Sequence, residues 1–135
     1  MDLSSAMAIA AAGMRVQATR LQVTAENLAN AATTGTAPGV EPFRRRTVSF
    51  AGREDRELGL ELVDVRRFGL DPTPFELRHQ PGHPAADAAG YVKYPNVNPL
   101  IELVDMREAQ RSYEANLNAL QLARGMIGRT LDLLR

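Results

Sequence analysis

Residues 3–32 read LSSAMAIAAAGMRVQATRLQVTAENLANAA, and the spacing within them decides the fold. Met7, Met14, Leu21 and Leu28 recur every seven residues, and Ala11, Ala18, Ala25 and Ala32 follow each of them by four. A sustained 3.5-residue period keeps one narrow apolar stripe facing a partner helix, which is the seam of a coiled coil. The spacing predicts a helix over Leu3–Ala32 with Ser4 or Ser5 as its cap and Gly35 just past its end. At ~1.5 Å per residue it extends about 45 Å.

The partner lies at the other end of the chain. Met106, Tyr113, Leu120, Ile127 and Leu134 form one heptad row, and Leu103, Gln110, Leu117, Arg124 and Leu131 form a second. Asn98-Pro99 supplies an N-cap followed by proline at the first helical position, and Glu102 and Asp105 favour the positive end of the dipole. A helix from Asn98 to Leu134 follows. Alanines in alternate layers of the front helix admit a close partner, and Tyr113 and the leucines can fill the space. Gln110 and Arg124, polar groups in a seam, can fix register and partner at a cost in stability.

All eight prolines fall in the stretch from Pro38 to Pro99, the last of them at the first position of the back helix. There the period changes from helical to alternating, in Phe43–Phe50 and in Leu58–Val65, with Gly52 and Gly69 as flanking turn-formers. Phe75, Leu77 and Tyr91 to Tyr94 are candidates for further strands, and Gln80–Gly90 reads as a loop. The predicted class is α+β: two long terminal helices forming an antiparallel coiled coil with a small inserted β-rich domain. Residues 1–35 plus 98–135 form the helical part, and residues 36–97, with a Pro/Gly loop at 80–97, form the insert.

Ile9, Val16 and Val23 make another heptad row on the opposite side of the front helix from the methionine-leucine row. Ile101, Val104, Leu122, Met126 and Leu133 lie off the seam of the back helix. An isolated hairpin leaves these rows in water, and apolar patches of that kind mark interfaces. The alternative is that the β-rich middle folds back over them.

Composition narrows the function. The 135 residues suit one ordinary domain. Sixteen basic and sixteen acidic side chains cancel, leaving no field to attract nucleic acid or anionic lipid. No cysteine is present, so there is no disulfide or thiolate chemistry. No stretch approaches the ~20 apolar residues that span a bilayer, and the alanine-rich Ala6–Gly13 lacks a preceding basic residue, so a cleaved signal is not expected.

Catalytic and metal constellations are weak. His79, His83 and Asp87 are four apart, but Pro81-Gly82 and Pro84 remove the helix that would align them as ligands. Arg44, Arg45 and Arg46 read as a solvated strand edge or an inter-subunit ion pair, since successive strand side chains diverge. Asp105 and Glu108 stand beside Arg107 and Arg111 in a surface ion-pair lattice. There is no phosphate loop and no nucleophile elbow. The chain is read as no enzyme, with no cofactor and no metal. Asn27 and Asn30, amides at the end of an alanine-rich helix, can cap its last turn or bond to a neighbouring helix.

The stretch AENLANAATTGTAPG, Ala25–Gly39, resembles the signature of the flagellar rod and hook axial proteins, with Ala32 where many relatives have a second asparagine. EPFRRRTVSF (41–50), PGHPAADAAGYVKYPNVNP (81–99) and DMREAQRSYEANLNALQLARGMIGRTLDLLR (105–135) are similar to segments of the proximal-rod members of that family. The resemblance implies a structural subunit of the bacterial flagellar basal-body rod, assembling through its terminal helices into the torque-transmitting drive shaft. It implies localisation in the rod across the periplasm, and export by the flagellar type III apparatus without signal cleavage. The implied partners are other proximal and distal rod proteins, the MS-ring/export-gate junction protein and further copies of the chain, with no nucleic acid and no membrane insertion. Helix-seam and assembly roles carry over to Met7, Met14, Leu21, Asn27, Leu28 and Asn30, and to Tyr113, Asn116, Leu117, Leu120, Ile127 and Leu131. Ile9, Val16 and Val23 form the second apolar face. The competing function is a stand-alone coiled-coil adaptor or scaffold of the cytoplasm.

Overall fold

The structure is a computed structural model that describes residues 2–134; Met1 and Arg135, the outer limits of the expected helical part, lie outside them. The chain is α+β. It runs α1 (Leu3–Ala29), β1 (Arg46–Asp55), β2 (Leu60–Leu70), β3 (Glu76–His79), β4 (Tyr91–Tyr94) and α2 (Pro99–Leu133). β1 pairs with β2, and β3 pairs with β4, in two separate two-stranded sheets.

The helix ends follow their side chains. α1 is capped by Asp2 rather than by either serine. Asp2 Oδ1 accepts the Ser5 amide and the Ser4 hydroxyl, both at 2.7 Å, as an N-cap carboxylate does for orphan helix amides. Those bonds pull the Asp2 pKa down to about 2, the Ser5 amide being the largest influence. α1 stops at Ala29, three residues before the heptad does, where the Asn30 side chain turns back and its Nδ2 donates to the Glu26 carbonyl at 2.8 Å. α2 begins as its sequence requires, with Asn98 Oδ1 accepting the Leu100 and Ile101 amides at 3.1 and 3.4 Å.

Both strands of the first hairpin run past the expected turn-formers, so Gly52 and Gly69 lie within β1 and β2. The reversal instead falls at 56–59, where Asp55 Oδ1 accepts the Glu57 and Leu58 amides and Gly59 takes φ +61°. β3 and β4 are antiparallel, with Glu76 opposite Tyr94 and His79 opposite Tyr91. The loop between them is ordered by its own bonds: Gln80 N–H to Gly90 O at 2.8 Å, and Asp87 Oδ1 accepting the Ala89 and Tyr91 amides at 2.9 Å. Gly90 has φ +83°, and a Cβ there would sit 3.0 Å from Pro81.

Backbone packing separates two compact units. The first gathers residues up to Leu21, Val48–Arg67 and residues from Arg107 onward; the second gathers Gln22–Thr47 and Phe68–Met106. The buried residues of the first are mostly small: Ala10, Ala12, Val16, Leu62, Ala109 and Ala123. The second buries Val23, Val92 and Val97 together with Thr24, Asn27 and Glu102. No helix among the described residues is long and apolar enough to cross a membrane.

Candidate assembly surfaces

In the first unit α1 and α2 lie side by side and antiparallel. Gly13 rests on Asn116, where an added Cβ would stand 2.7 Å from Asn116 Oδ1, and Arg20 reaches Glu108 at 3.3 Å. Contact through a glycine and buried alanines brings the backbones close. It also displaces the large side chains from the seam they were expected to fill. Met14, Tyr113 and Leu120, three of the expected seam residues, instead wall an open groove of about 260 Å³ with Ala11, Ala18 and Arg15.

Met7, Leu21, Leu28, Leu117 and Ile127 are half-buried. In the second α2 row Leu103 is 43% and Leu131 60% exposed, and Gln110 and Arg124 are exposed as well. The heptad that α2 does bury is Glu102, Ala109 and Ala123, with half-buried Asn116 between them. The row on the other side of α1 also departs from expectation. Val16 and Val23 are 3% and 8% exposed within their own chain, and only Ile9, at 41%, is open.

The second unit is organised by a buried polar cluster. Asn27, 1% exposed, uses its side-chain amide as a strand would: Nδ2 donates to Arg46 O at 2.9 Å and Oδ1 accepts the Arg46 amide at 2.8 Å. Its Nδ2 also approaches Glu102 Oε2 at 3.4 Å. Glu102, equally buried, pairs through Oε1 with Arg45 Nε. Arg45 Nη1 reaches Asp71 Oδ2 at 3.4 Å, and the Arg45 amide donates to Asn96 Oδ1 at 2.8 Å. Asn96 Nδ2 closes the circuit on the carbonyls of Asp71 and Thr73, both at 3.1 Å.

The electrostatics fit that wiring. Burial works against the Arg45 charge, but the Glu102 and Asp71 carboxylates outweigh it and raise its pKa. Asp71 is held below the usual carboxylate range by the Thr73 amide and hydroxyl, and then by Arg45. Of the arginine triplet only Arg46, exposed at the start of β1, fits a solvated edge, and all three find partners within the chain. Arg44 donates to the Asp71 and Thr73 carbonyls and lies 4.1 Å over the Phe75 ring, while Arg46 meets Glu26 at 3.1 Å.

Asn27 and Asn30 divide the roles foreseen for them, Asn27 bonding to β1 and α2 and Asn30 closing α1. Glu102, Arg45, Asp71, Asn96 and Gly13 were not foreseen as a set. The available signal was Glu102 itself, a lone carboxylate within the aliphatic run Leu100-Ile101-Glu102-Leu103-Val104.

Among the described residues no three His, Cys, Asp or Glu side chains are placed to hold a metal. His83 Nδ1 accepts the Ala85 amide at 3.0 Å, and one Asp87 oxygen is occupied by backbone amides. What the molecule offers is surface. Large apolar side chains stand open on α2 at Leu100, Ile101 and Val104, and again at Leu122, Met126, Leu131 and Leu133. Phe68 and Leu70 are open on β2.

Residues 88–133 match the family model described as flagellar basal body rod FlgEFG protein C-terminal. A flagellar basal-body rod protein FlgC of Agrobacterium fabrum (strain C58 / ATCC 33970) is 50% identical over 133 residues, covering 98% of this chain and 96% of the relative. The protein of that name from Yersinia enterocolitica is 39% identical over 135 residues, covering 98% of each. The one from Aquifex aeolicus (strain VF5) is 40% identical over 136 residues, covering 98% of this chain and 97% of the relative.

Proposed function

This chain belongs to the FlgC family of flagellar basal-body rod proteins and is a structural subunit of the rod, and we propose that it joins the rod through its two terminal helices. In this reading α1 and α2 pair as an antiparallel coiled coil, so that residues 1–35 plus 98–135 form an inner axial domain. Residues 36–97 form the outer β-rich domain. The partners are neighbouring proximal and distal rod proteins, the MS-ring/export-gate junction protein and copies of the chain itself. No catalysis is involved.

The observation that carries this reading is the inverted first turns of α2. Glu102 is 1% exposed, whereas Leu100, Ile101 and Val104 are 71%, 58% and 61% exposed. A helix that buries its carboxylate and presents its aliphatics gains from a covering partner, at ~25 cal/mol per Å² of apolar surface removed from water. Met14, Tyr113 and Leu120 extend the same logic to the groove, and Met7, Leu21, Leu28, Leu117, Ile127 and Leu131 to the helix sides that are half-buried or open.

Export by the flagellar type III apparatus without cleavage, into a rod that crosses the periplasm, completes the reading. Its support is the membership of the chain in the rod-protein family. Assembly is tested by Leu120→Asp and Leu28→Asp. Each is expected to abolish rods and swimming while the polar cluster of the second unit stays folded, and normal swimming with either would count against helix-mediated assembly.

A further inference from the structure

β4 carries the single lysine of the chain, Lys93, among sixteen basic residues. The register that sets Leu77 opposite Lys93 and His79 opposite Tyr91 places Tyr91 and Lys93 on one face of the small sheet, away from fully buried Val92. That face is open. His79 braces the Tyr91 ring edge-on, with centroids 5.0 Å apart, and Tyr91 remains 44% exposed. Beside it, within the second unit, lies a recess of about 180 Å³ walled by Gly39, Val40, Ala85, Asp87, Tyr91 and Lys93. At Gly39, φ +84°, no atom lies within 4 Å of the place where a Cβ would stand, so the backbone itself borders the opening.

The two charges at this recess are not matched to each other. Asp87 is fixed in place, its Oδ1 accepting the Ala89 and Tyr91 amides at 2.9 Å and its own amide donating to Tyr91 O at 2.9 Å. Its Oδ2 makes no hydrogen bond among the described residues, and Lys93 Nζ has no carboxylate within 4.0 Å among them. An acid and an amine that line one recess without pairing offer it two separate binding points. A simple ion satisfies one of them, whereas a small molecule that carries both an ammonium and a carboxylate satisfies both. The volume is below the ~300–1,000 Å³ of pockets for drug-sized ligands, which excludes a nucleotide and suits a single amino acid. We propose that the recess binds the head group of an α-amino acid, with its ammonium on Asp87 Oδ2, its carboxylate on Lys93 Nζ and its side chain against Val40 and Tyr91. The ligand is a free amino acid or the same head group borne by a larger molecule. This site is independent of how the terminal helices assemble.

The test is a titration of the isotope-labelled full chain with leucine, read from the amide shifts of Gly39, Val40, Ala85, Asp87 and Lys93. Leucine is expected to move these amides with a Kd on the order of 1 mM. At slightly acidic pH, where the amine of leucine amide is charged, N-acetyl-leucine and leucine amide each lack one charge and should bind about fivefold more weakly. Asp87→Asn keeps an oxygen for the Ala89 and Tyr91 amides while removing the charge, so it should weaken leucine about fivefold and leave N-acetyl-leucine unchanged. Lys93→Met should weaken leucine by the same factor and leave leucine amide unchanged. A loss of local fold would not produce that crossed pattern. Nε-acetyl-lysine carries the same head group on an amide-linked stem: binding tighter than leucine supports the site with a larger molecule as its ligand, and weaker binding supports it with a free amino acid. No amide shift at saturating leucine, equal affinity for leucine and its two derivatives, or leucine binding untouched by both substitutions would overturn the proposal.

Discussion

The polar cluster around Asn27 and Glu102 and the groove between Met14 and Leu120 solve opposite problems with the same two helices. In the cluster, two nearly inaccessible polar side chains are satisfied inside the chain by Arg45, Arg46 and their neighbours. In the groove, close approach at Gly13 and Asn116 leaves large apolar side chains without a cover. One region is finished in the isolated chain, and in the function proposed above the other is finished by assembly. The lesson is that residue type does not tell which is which: here the polar side chains are inside and many of the leucines are outside.

That contrast breaks most sharply under Leu120→Asp, where a complete loss of rods and motility should coincide with unchanged amide protection around Asn27 and Arg46. Next in size are substitutions in the finished region. Glu102→Ala leaves the Arg45 guanidinium with Asp71 alone and removes an acceptor from Asn27, and should cost about 2 kcal/mol, a fall in Tm of about 7 °C measured on the isolated chain. Asn27→Ala leaves the Arg46 amide and carbonyl unpaired and should cost about 2 kcal/mol, read from the urea midpoint. Gly13→Ala is a finer probe of the close approach. The helix gains about 1 kcal/mol from losing glycine, but the new methyl must displace Asn116, so the single change should be near neutral in thermal denaturation. Pairing it with Asn116→Ala should uncover the gain, and a stabilising single change would mean that the helices have room to spare.

The smallest expected effect is on acid stability. Asp2 and Asp71 have folded-state pKa values below their unfolded values. The unfolded chain therefore binds more protons as pH falls, and the stability these groups confer is fully present above pH 3.8 and is lost as pH drops below it. For Asp2 the loss runs from there to about pH 2. Asp2→Asn and Asp71→Asn should each flatten the decline of Tm across that window, with little change at neutral pH.

Much of this was legible in the residues. Asn98-Pro99 marked the start of α2 because a cap and a helix-compatible proline act locally, and the heptads marked both helices because periodicity survives any choice of partner. The choice of buried row was not legible. Met14 and Leu21 outweigh Ala10, Ala12 and Gly13 in hydrophobicity, yet small residues win where backbones approach closely, and closeness depends on what lies opposite. Val16 and Val23 were read as open for the same reason. The partners of Arg45 were not legible, because Glu102 and Asp71 lie 57 and 26 residues from it, a distance that no local pattern spans. Asn27 was half legible, since an amide ending an alanine-rich helix announces a bond without naming its acceptor.

Hydrogen exchange compared between the isolated chain and assembled rods tests the central claim most directly. The amides of Arg46 and of the α2 turn carrying Glu102 should be protected equally in both states, whereas Ala11–Ala18 and Tyr113–Leu131 should gain clear further protection in the rod. Strong protection of both helices in the isolated chain, unchanged on assembly, would show a self-sufficient hairpin and contradict the account.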